Sequence, residues 1–230
     1  MKKTLMIVSL CLSSVVLTGC MEKKVDLTKK EQKESYSFGY NIGKNLSLED
    51  DAIDLNVLVK GMKDGFNNDG QLTEKEMQEV LVNFQKEQQE KEMERLKMVA
   101  EKNKEAASVF LAENKAKDGV VTRKSGLQYK VLEKGAGKKS PSKNDTVVVH
   151  YAGRLIDGTE FDSSYKRNTP AEFPVNAVIE GWTEVLQLMT PGDKWEVYVP
   201  SELAYGTRGA GASIGPNSLL IFDIELIDVK

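Results

Sequence analysis

The sequence predicts an α+β protein in two parts: a helical N-terminal half, then a C-terminal half of strands with one short helix. Three observations predict it. From Glu74 to about Lys117 the chain holds no Gly or Pro, so one uninterrupted helix is expected there. After Asp118-Gly119 the apolar period changes from three-four to two, as in Leu127-Gln128-Tyr129-Lys130-Val131-Leu132. The strand-like runs that follow are separated by turns and one helical stretch, without a repeating strand-helix-strand unit, which is the α+β pattern.

Composition narrows the chemistry. With 230 residues, 40% hydrophobic and 29% charged, the chain is a soluble globular protein of one or two domains with a charged surface. The net charge of −3, with basic residues spread among acidic ones, argues against a nucleic-acid partner. There is one His, His150, and there are two Cys, Cys11 and Cys20. Beyond Cys20 there is no thiol, which excludes disulfides, a Cys/His zinc site and a Cys nucleophile. A Ser-His-Asp triad would have to use His150. No metal and no cofactor are expected.

The N-terminus reads as an address. Lys2 and Lys3 form a basic start, and Leu5 to Leu17 is an apolar run of about a dozen residues, too short to span a membrane as a mature helix. It ends in Leu17-Thr18-Gly19-Cys20, which resembles a bacterial lipobox. Residues 1–19 are therefore expected to be a lipoprotein signal peptide, with Cys20 lipidated and residues 20–27 a charged tether. Such a chain is held to the membrane by its lipid and does not cross it. Met21 stands where an Asp would signal inner-membrane retention. In a Gram-negative envelope this points to the outer membrane, facing the periplasm or the cell surface.

Residues 28–117 form the expected helical domain. Thr28-x-x-Glu31 reads as a capping box, so a helix should start near Lys29, with Tyr36, Phe38, Tyr40, Ile42 and Leu46 as its apolar positions. Gly39 and Gly43 suggest close approach of another helix, at a propensity cost of about 1 kcal/mol each. A second helix is expected from Leu55 to Phe66, with Leu55, Leu58, Met62 and Phe66 on one face. The stretch Gly65 to Glu76 nearly matches a calcium-binding loop, but Gly65 occupies the position that needs a carboxylate. Asn68-Asp69-Gly70 as a turn and Thr73-x-x-Glu76 as a cap explain the same letters. The long helix then carries apolar residues at both ends and a wholly polar stretch, Gln85 to Glu92, between them. A helix polar all round over two turns reads as a strut crossing solvent. The core left for the first helices is small, so a homodimer through this half is expected.

The C-terminal part, residues 118–230, holds the candidate site. Val147 to Tyr151 is a strand, followed after Leu155-Ile156 by the hairpin turn Asp157-Gly158. Val178 to Met189 reads as a short helix stopped by Pro191-Gly192, and Trp195 to Val199 as a strand. Leu203 to Gly215 is a Gly-rich loop expected to be of marginal order. Leu219 to Val229 is the last strand. Tyr151, Phe161, Val178, Ile179 and Trp182 are too apolar for a random surface, and Asp162 is the single acid among them. That is the make-up of an apolar pocket with one polar handle, although core packing alone would place Trp182 and Phe222 in much the same way.

The runs VHYAG, DGTEFDSS, VIEGW, LAYG and LIFDIELIDV, in that order and spacing, resemble the FKBP-type peptidyl-prolyl cis-trans isomerases over about Leu127 to Lys230. The helical half with its lipobox is similar to the Mip-like lipoprotein subclass of that family, in layout more than in motif. The resemblance implies a curved antiparallel sheet wrapping one short helix, with the prolyl pocket between them. It further implies Trp182 as the pocket floor and Tyr151, Phe161 and Phe222 as walls, with Asp162, Val178, Ile179 and Tyr205 lining it. The Ile179 N–H and the Tyr205 hydroxyl would bind substrate carbonyls, Arg167 would pair with Asp162, and Ile214 would sit on the flap. Catalytic roles fall to Asp162 and Tyr205. Two departures touch the rim and not the pocket: Ala171 stands where small members often carry an aromatic residue, and Thr207 to Ser213 has no His-Pro pair. The implied partners are proline-containing segments of folding envelope proteins, a second copy of the chain, and macrolides such as tacrolimus. The other reading is a dimeric holdase-type chaperone or peptide-binding module with incidental isomerase activity.

Overall fold

The computed structural model describes residues 25–47 and 53–230, so the predicted signal segment and Cys20 lie outside the described residues. The chain divides between Glu74 and Lys75 into two compact units.

The first unit contains α1 (Lys30–Ser47) and α2 (Leu55–Asn67). Asp26 closes the turn before α1, accepting from the Thr28 N–H at 3.1 Å and the Thr28 hydroxyl at 2.6 Å. Asp54 caps α2 by accepting from the N–H groups of Asn56 (2.8 Å) and Val57 (3.3 Å). Asn68 ends the helix in the left-handed region at φ 56°. The Asp64 carboxylate is held by Lys60 at 2.5 Å and Gln71 at 3.0 Å. The calcium-like letters are thus accounted for by a helix stop and a turn. None of the described residues of this unit is buried.

The second unit is α3 (Glu74–Asn114) and a seven-stranded antiparallel sheet. At 41 residues, α3 is about 60 Å long. Its last turns lie on the outer face of the sheet. Phe110 packs on Tyr198 at 5.7 Å. Asn114 is fully buried and donates to Gln128 Oε1 at 3.0 Å, while Gln128 Nε2 donates to the Leu111 carbonyl at 2.9 Å.

The strands are β1 (Val120–Thr122), β2 (Gln128–Glu133), β3 (Thr146–Arg154), β4 (Glu160–Ser163), β5 (Ala171–Pro174), β6 (Lys194–Val199) and β7 (Leu220–Val229). Their order is β1-β2-β6-β7-β3-β4, with β5 also paired to β3. β4 and β5 share one edge of β3, β4 against Ala152 to Arg154 and β5 against Thr146 to Val149. β3 alternates strictly, with Val147, Val149, Tyr151 and Gly153 turned to the core. β6 and β7 contribute Val197, Val199, Phe222, Ile224 and Leu226 to the same core.

One short helix, α4 (Glu180–Leu186), lies across this inner face with Trp182, Val185 and Leu186 buried. A Cβ at Gly181 would come within 2.4 Å of Val199 Cγ1, so only glycine lets α4 lie this close to β6. The helix is shorter than the predicted Val178–Met189. Val175–Ala177 forms a separate 3-10 turn, and Ile179 is extended at ψ 151°. Beyond Leu186 the chain tightens into i+3 bonds, Leu188 N–H to Val185 (2.9 Å) and Met189 N–H to Leu186 (3.2 Å). The Gly-rich loop carries a cross-bridge of its own. Ala210 and Ile214 exchange both backbone bonds, at 2.8 and 3.1 Å.

Candidate active site

The cleft between α4 and the concave face of the sheet has a volume of about 570 Å³. Trp182 on α4 is only 4% exposed, so it is set into the core and offers the cleft one face. Three rings meet it edge to face: Tyr151 at 5.2 Å and 88°, Phe222 at 5.3 Å and 81°, and Phe173 at 5.8 Å and 88°. Phe161 extends the wall by meeting Phe222 at 5.6 Å and 86°. Such edge contacts suit the ring quadrupoles and hold the box rigid.

Strand register explains why these rings converge. Tyr151 and Gly153 are successive core-facing residues of β3. Gly153 pairs with Phe222 on β7 and with Asp162 on β4. A Cβ at Gly153 would meet Phe161 Cε2 at 2.6 Å and Phe222 Cε1 at 2.8 Å. The absent side chain is therefore the space the two rings occupy.

Asp162 is the polar edge of the cleft. Its Oδ2 accepts from the Tyr151 hydroxyl, and its Oδ1 accepts from Arg167 Nη1 at 2.5 Å. Arg167 Nη2 donates to the Tyr151 oxygen at 2.9 Å, closing a three-membered ring of side chains. Burial pushes the Asp162 carboxyl up, but the bonds from Tyr151 and Arg167 and the guanidinium charge outweigh it and leave its pKa below the ordinary carboxylate value. Burial, followed by the bond to Asp162, pushes the Tyr151 phenol up, and Arg167 offsets part of this. Asp162 is thus a fixed anion at neutral pH.

The upper side of the cleft is built from Val178, Ile179, Tyr205 and Ile214. The Ile179 carbonyl accepts from Trp182 N–H (2.9 Å) and Thr183 N–H (3.0 Å) at the start of α4. The Ile179 N–H has no partner among the described residues. Tyr205 is 42% exposed and stands at the mouth.

The predicted residues Tyr151, Phe161, Asp162, Val178, Ile179, Trp182, Tyr205, Ile214 and Phe222 all line the one cleft. Arg167 stands outside its lining and reaches it through Asp162 and Tyr151. Phe173 and Gly153 were not singled out from the sequence. The alternation in Ala171-Glu172-Phe173 puts Phe173 on the same side as Ala171, so β5 supplies its ring two residues later. His150 faces the other side of β3, stacked on Tyr165 at 4.7 Å with Nδ1 3.0 Å from Ser164 Oγ. Ser164 is fully buried, which removes it as a nucleophile for any bound chain.

Comparison with known proteins agrees with this geometry. The family described as FKBP-type peptidyl-prolyl cis-trans isomerase matches residues 137–227, and the domain amino-terminal to it matches residues 31–131. The chain is 50% identical over 205 residues to the outer membrane protein MIP of Legionella longbeachae, covering 89% of this chain and 88% of that one.

The chain belongs to the FKBP-type peptidyl-prolyl cis-trans isomerases.

It is also 47% identical over 221 residues to the peptidyl-prolyl cis-trans isomerase Mip of Coxiella burnetii, covering 95% of this chain and 96% of that one. The crystal structure of FkpA from Escherichia coli matches with a TM-score of 0.70 at 35% identity, covering 88% of this chain and 98% of that one. An FKBP-type isomerase uses no acid, base or nucleophile to break a bond, which suits a cleft whose one acid is already held by two donors. Among the described residues no helix is long and apolar enough to cross a membrane.

Proposed function

We propose that this FKBP-type isomerase turns X-Pro bonds of cell-envelope proteins in the cleft floored by Trp182. The observation that carries the reading is the pairing of an edge-to-face aromatic box with a carboxylate immobilised by Tyr151 and Arg167.

The barrier to rotation is about 18–20 kcal/mol because resonance makes the C–N bond partly double. A twisted amide has lost that resonance and is less polar than the planar one, so a dry aromatic cleft tolerates it better than water does. The proline ring would rest on Trp182 between Tyr151, Phe222 and Phe161. The free Ile179 N–H and the Tyr205 hydroxyl would hold the carbonyls on either side. Asp162 sets the local field and orients Tyr151, and it transfers no proton. The uncatalysed event takes tens of seconds or more, slow enough to limit folding.

We assign Cys20 as the lipidated residue and the outer membrane as the site of anchoring, supported by the Leu17–Cys20 run and by the name of the Legionella relative. We assign a homodimer through the N-terminal unit. There α1 and α2 enclose an apolar hollow of about 460 Å³ lined by Ile42, Leu58, Met62 and Phe66. Phe38 is 72% and Phe66 90% exposed, a burden of apolar surface that a second copy would cover. A Cβ at Gly39 or Gly43 would meet nothing within 4 Å, leaving bare backbone for a partner helix.

The test is isomerisation of an X-Pro tetrapeptide by the full-length protein, with and without tacrolimus. Activity that the macrolide abolishes supports the reading. Absence of activity above the uncatalysed rate would leave the holdase reading in its place.

A further inference from the structure

The loop 206–218 forms the far lip of the cleft, with Tyr205 immediately before it and Ile214 within it. It is joined internally by the Ala210–Ile214 bridge and by the Asn217 N–H to the Gly206 carbonyl at 2.9 Å. Ile214 packs into the core, and the loop's hydrogen bonds to another element run to α3. Asn103 Nδ2 donates to the Pro216 carbonyl at 2.8 Å and lies 3.3 Å from Ser218 Oγ. Asn217 Nδ2 returns a bond to the Ala100 carbonyl of α3 at 3.2 Å. A Cβ at Gly215 would touch Asn103 Nδ2 at 3.3 Å and Val99 Cγ1 at 3.4 Å, so the helix lies directly against the loop. Leu96, Lys97 and Ala100 continue this contact, bordering a crevice shared with Thr207, Arg208 and Pro216.

The residue choices suit a latch. Asn is a poor helix former because its amide competes for backbone groups, yet Asn103 sits inside a helix and spends its amide on the loop. Asn217 is left-handed at φ 56°, a conformation Asn tolerates. The pair is reciprocal: each amide donates to a carbonyl of the other segment.

We propose that Asn103, together with Asn217, is a positioning residue for the isomerase: α3 latches the loop 206–218 and so holds the Tyr205 hydroxyl at the mouth of the cleft. This rests on the reading of the cleft as the prolyl site. It gives α3 a role in the reaction in addition to its span.

The experiment uses the full-length chain and measures kcat/KM on an X-Pro tetrapeptide. Asn103→Ala removes one side of the latch, and Asn217→Gly removes the other while keeping the left-handed backbone accessible. Each is expected to lower kcat/KM by about 3- to 10-fold, the loss of one or two part-buried hydrogen bonds. The same two substitutions are then made in a Tyr205→Phe background. If the latch acts by placing the Tyr205 hydroxyl, their effect there shrinks to less than about twofold, because the group they position is gone. A merely structural role would leave the effect the same in both backgrounds. Folding is followed by circular dichroism, and Asn217→Gly decides should Asn103→Ala not fold. Unchanged kcat/KM in both variants, or full additivity with Tyr205→Phe, would overturn the latch while leaving the site intact. An inactive wild-type chain would overturn the prolyl-site reading and the latch with it.

Discussion

Gly153→Ala places one methyl group where the two pocket walls meet. The new carbon would lie 2.6 Å from Phe161 Cε2, 2.7 Å from Phe161 Cζ and 2.8 Å from Phe222 Cε1. Carbon atoms prefer about 3.5–4.0 Å, so both rings must yield by about 1 Å. Neither can do so freely. Phe222 is pinned by Trp182 at 5.3 Å and Phe161 by Phe222 at 5.6 Å. Overpacking of this kind costs about 1–3 kcal/mol, and part of it will be relieved by rotating Phe161 into the open cleft. The consequence is a narrowed site. Each 1.36 kcal/mol lost from the transition state is about tenfold in rate, so kcat/KM should fall about 5- to 50-fold. Thermal unfolding should drop by only a few degrees. The assay is tetrapeptide isomerisation beside a melting curve on the same preparation. Wild-type kcat/KM and an unchanged melting temperature would show that the walls have slack and would refute the argument from ring contact.

Three further outcomes follow from the same geometry. Tyr205→Phe removes one hydroxyl at the mouth of the cleft and should lower kcat/KM by about tenfold, at least as much as either latch variant, with no change in melting temperature; a large stability loss instead would make Tyr205 a packing residue. Asp162→Asn should lower isomerase activity about tenfold, since Tyr151 and Arg167 lose their shared acceptor charge. Its pH dependence has a definite sign. The folded-state pKa of Asp162 is depressed, so the stability it contributes is present above the unfolded value of about 3.9 and is lost as pH falls through the lower folded value. The melting difference between wild type and Asp162→Asn should therefore hold from neutral pH to about 4 and shrink below it; a difference that grows on acidification contradicts this. Finally, chains beginning near Lys91 and near Asp118 should both be monomeric by light scattering, but only the first keeps Asn103 and Asn114 on the sheet unit. The shorter chain loses both halves of the latch and should lose kcat/KM by at least the factor seen for Asn103→Ala, and a dimeric truncation would contradict the assignment of the dimer to the N-terminal unit.

Much of the architecture was legible because its signals are local. A run without Gly or Pro marks α3, the apolar run Val147-Val148-Val149 marks β3, and the apolar-acidic alternation from Phe222 to Leu226 marks β7. The apolar cluster around Asp162 announced a cleft before any contact was known. Less was legible where geometry depends on a neighbour. β5 has four residues and ends in Pro174, so only its pairing with β3 makes it a strand. The helix expected from Val178 to Met189 is shorter because Ile179 is extended at its start and the chain leaves it through i+3 bonds after Leu186, before the Pro191-Gly192 stop is reached. Glycine content in the loop 203–215 signals backbone freedom in an isolated chain. The contacts that restrain it, the Ala210–Ile214 bridge and the approach of Gly215 to α3, depend on partners the local pattern does not name.

By itself the sequence determined the order of the main elements, the absence of thiols beyond Cys20 and of any imidazole but His150, and an apolar site with one acid. These follow from periodicity, backbone limits and counting, which need no partner. Only the tertiary structure decided which groups meet. It set Gly153 between Phe161 and Phe222, brought Phe173 to Trp182, and turned His150 away from the cleft. It also joined Asn103 to Pro216 across 113 residues. The physical reason is register: in a sheet a shift of one residue exchanges the two faces, so the contents of a site are fixed by how strands pair and by what packs over them.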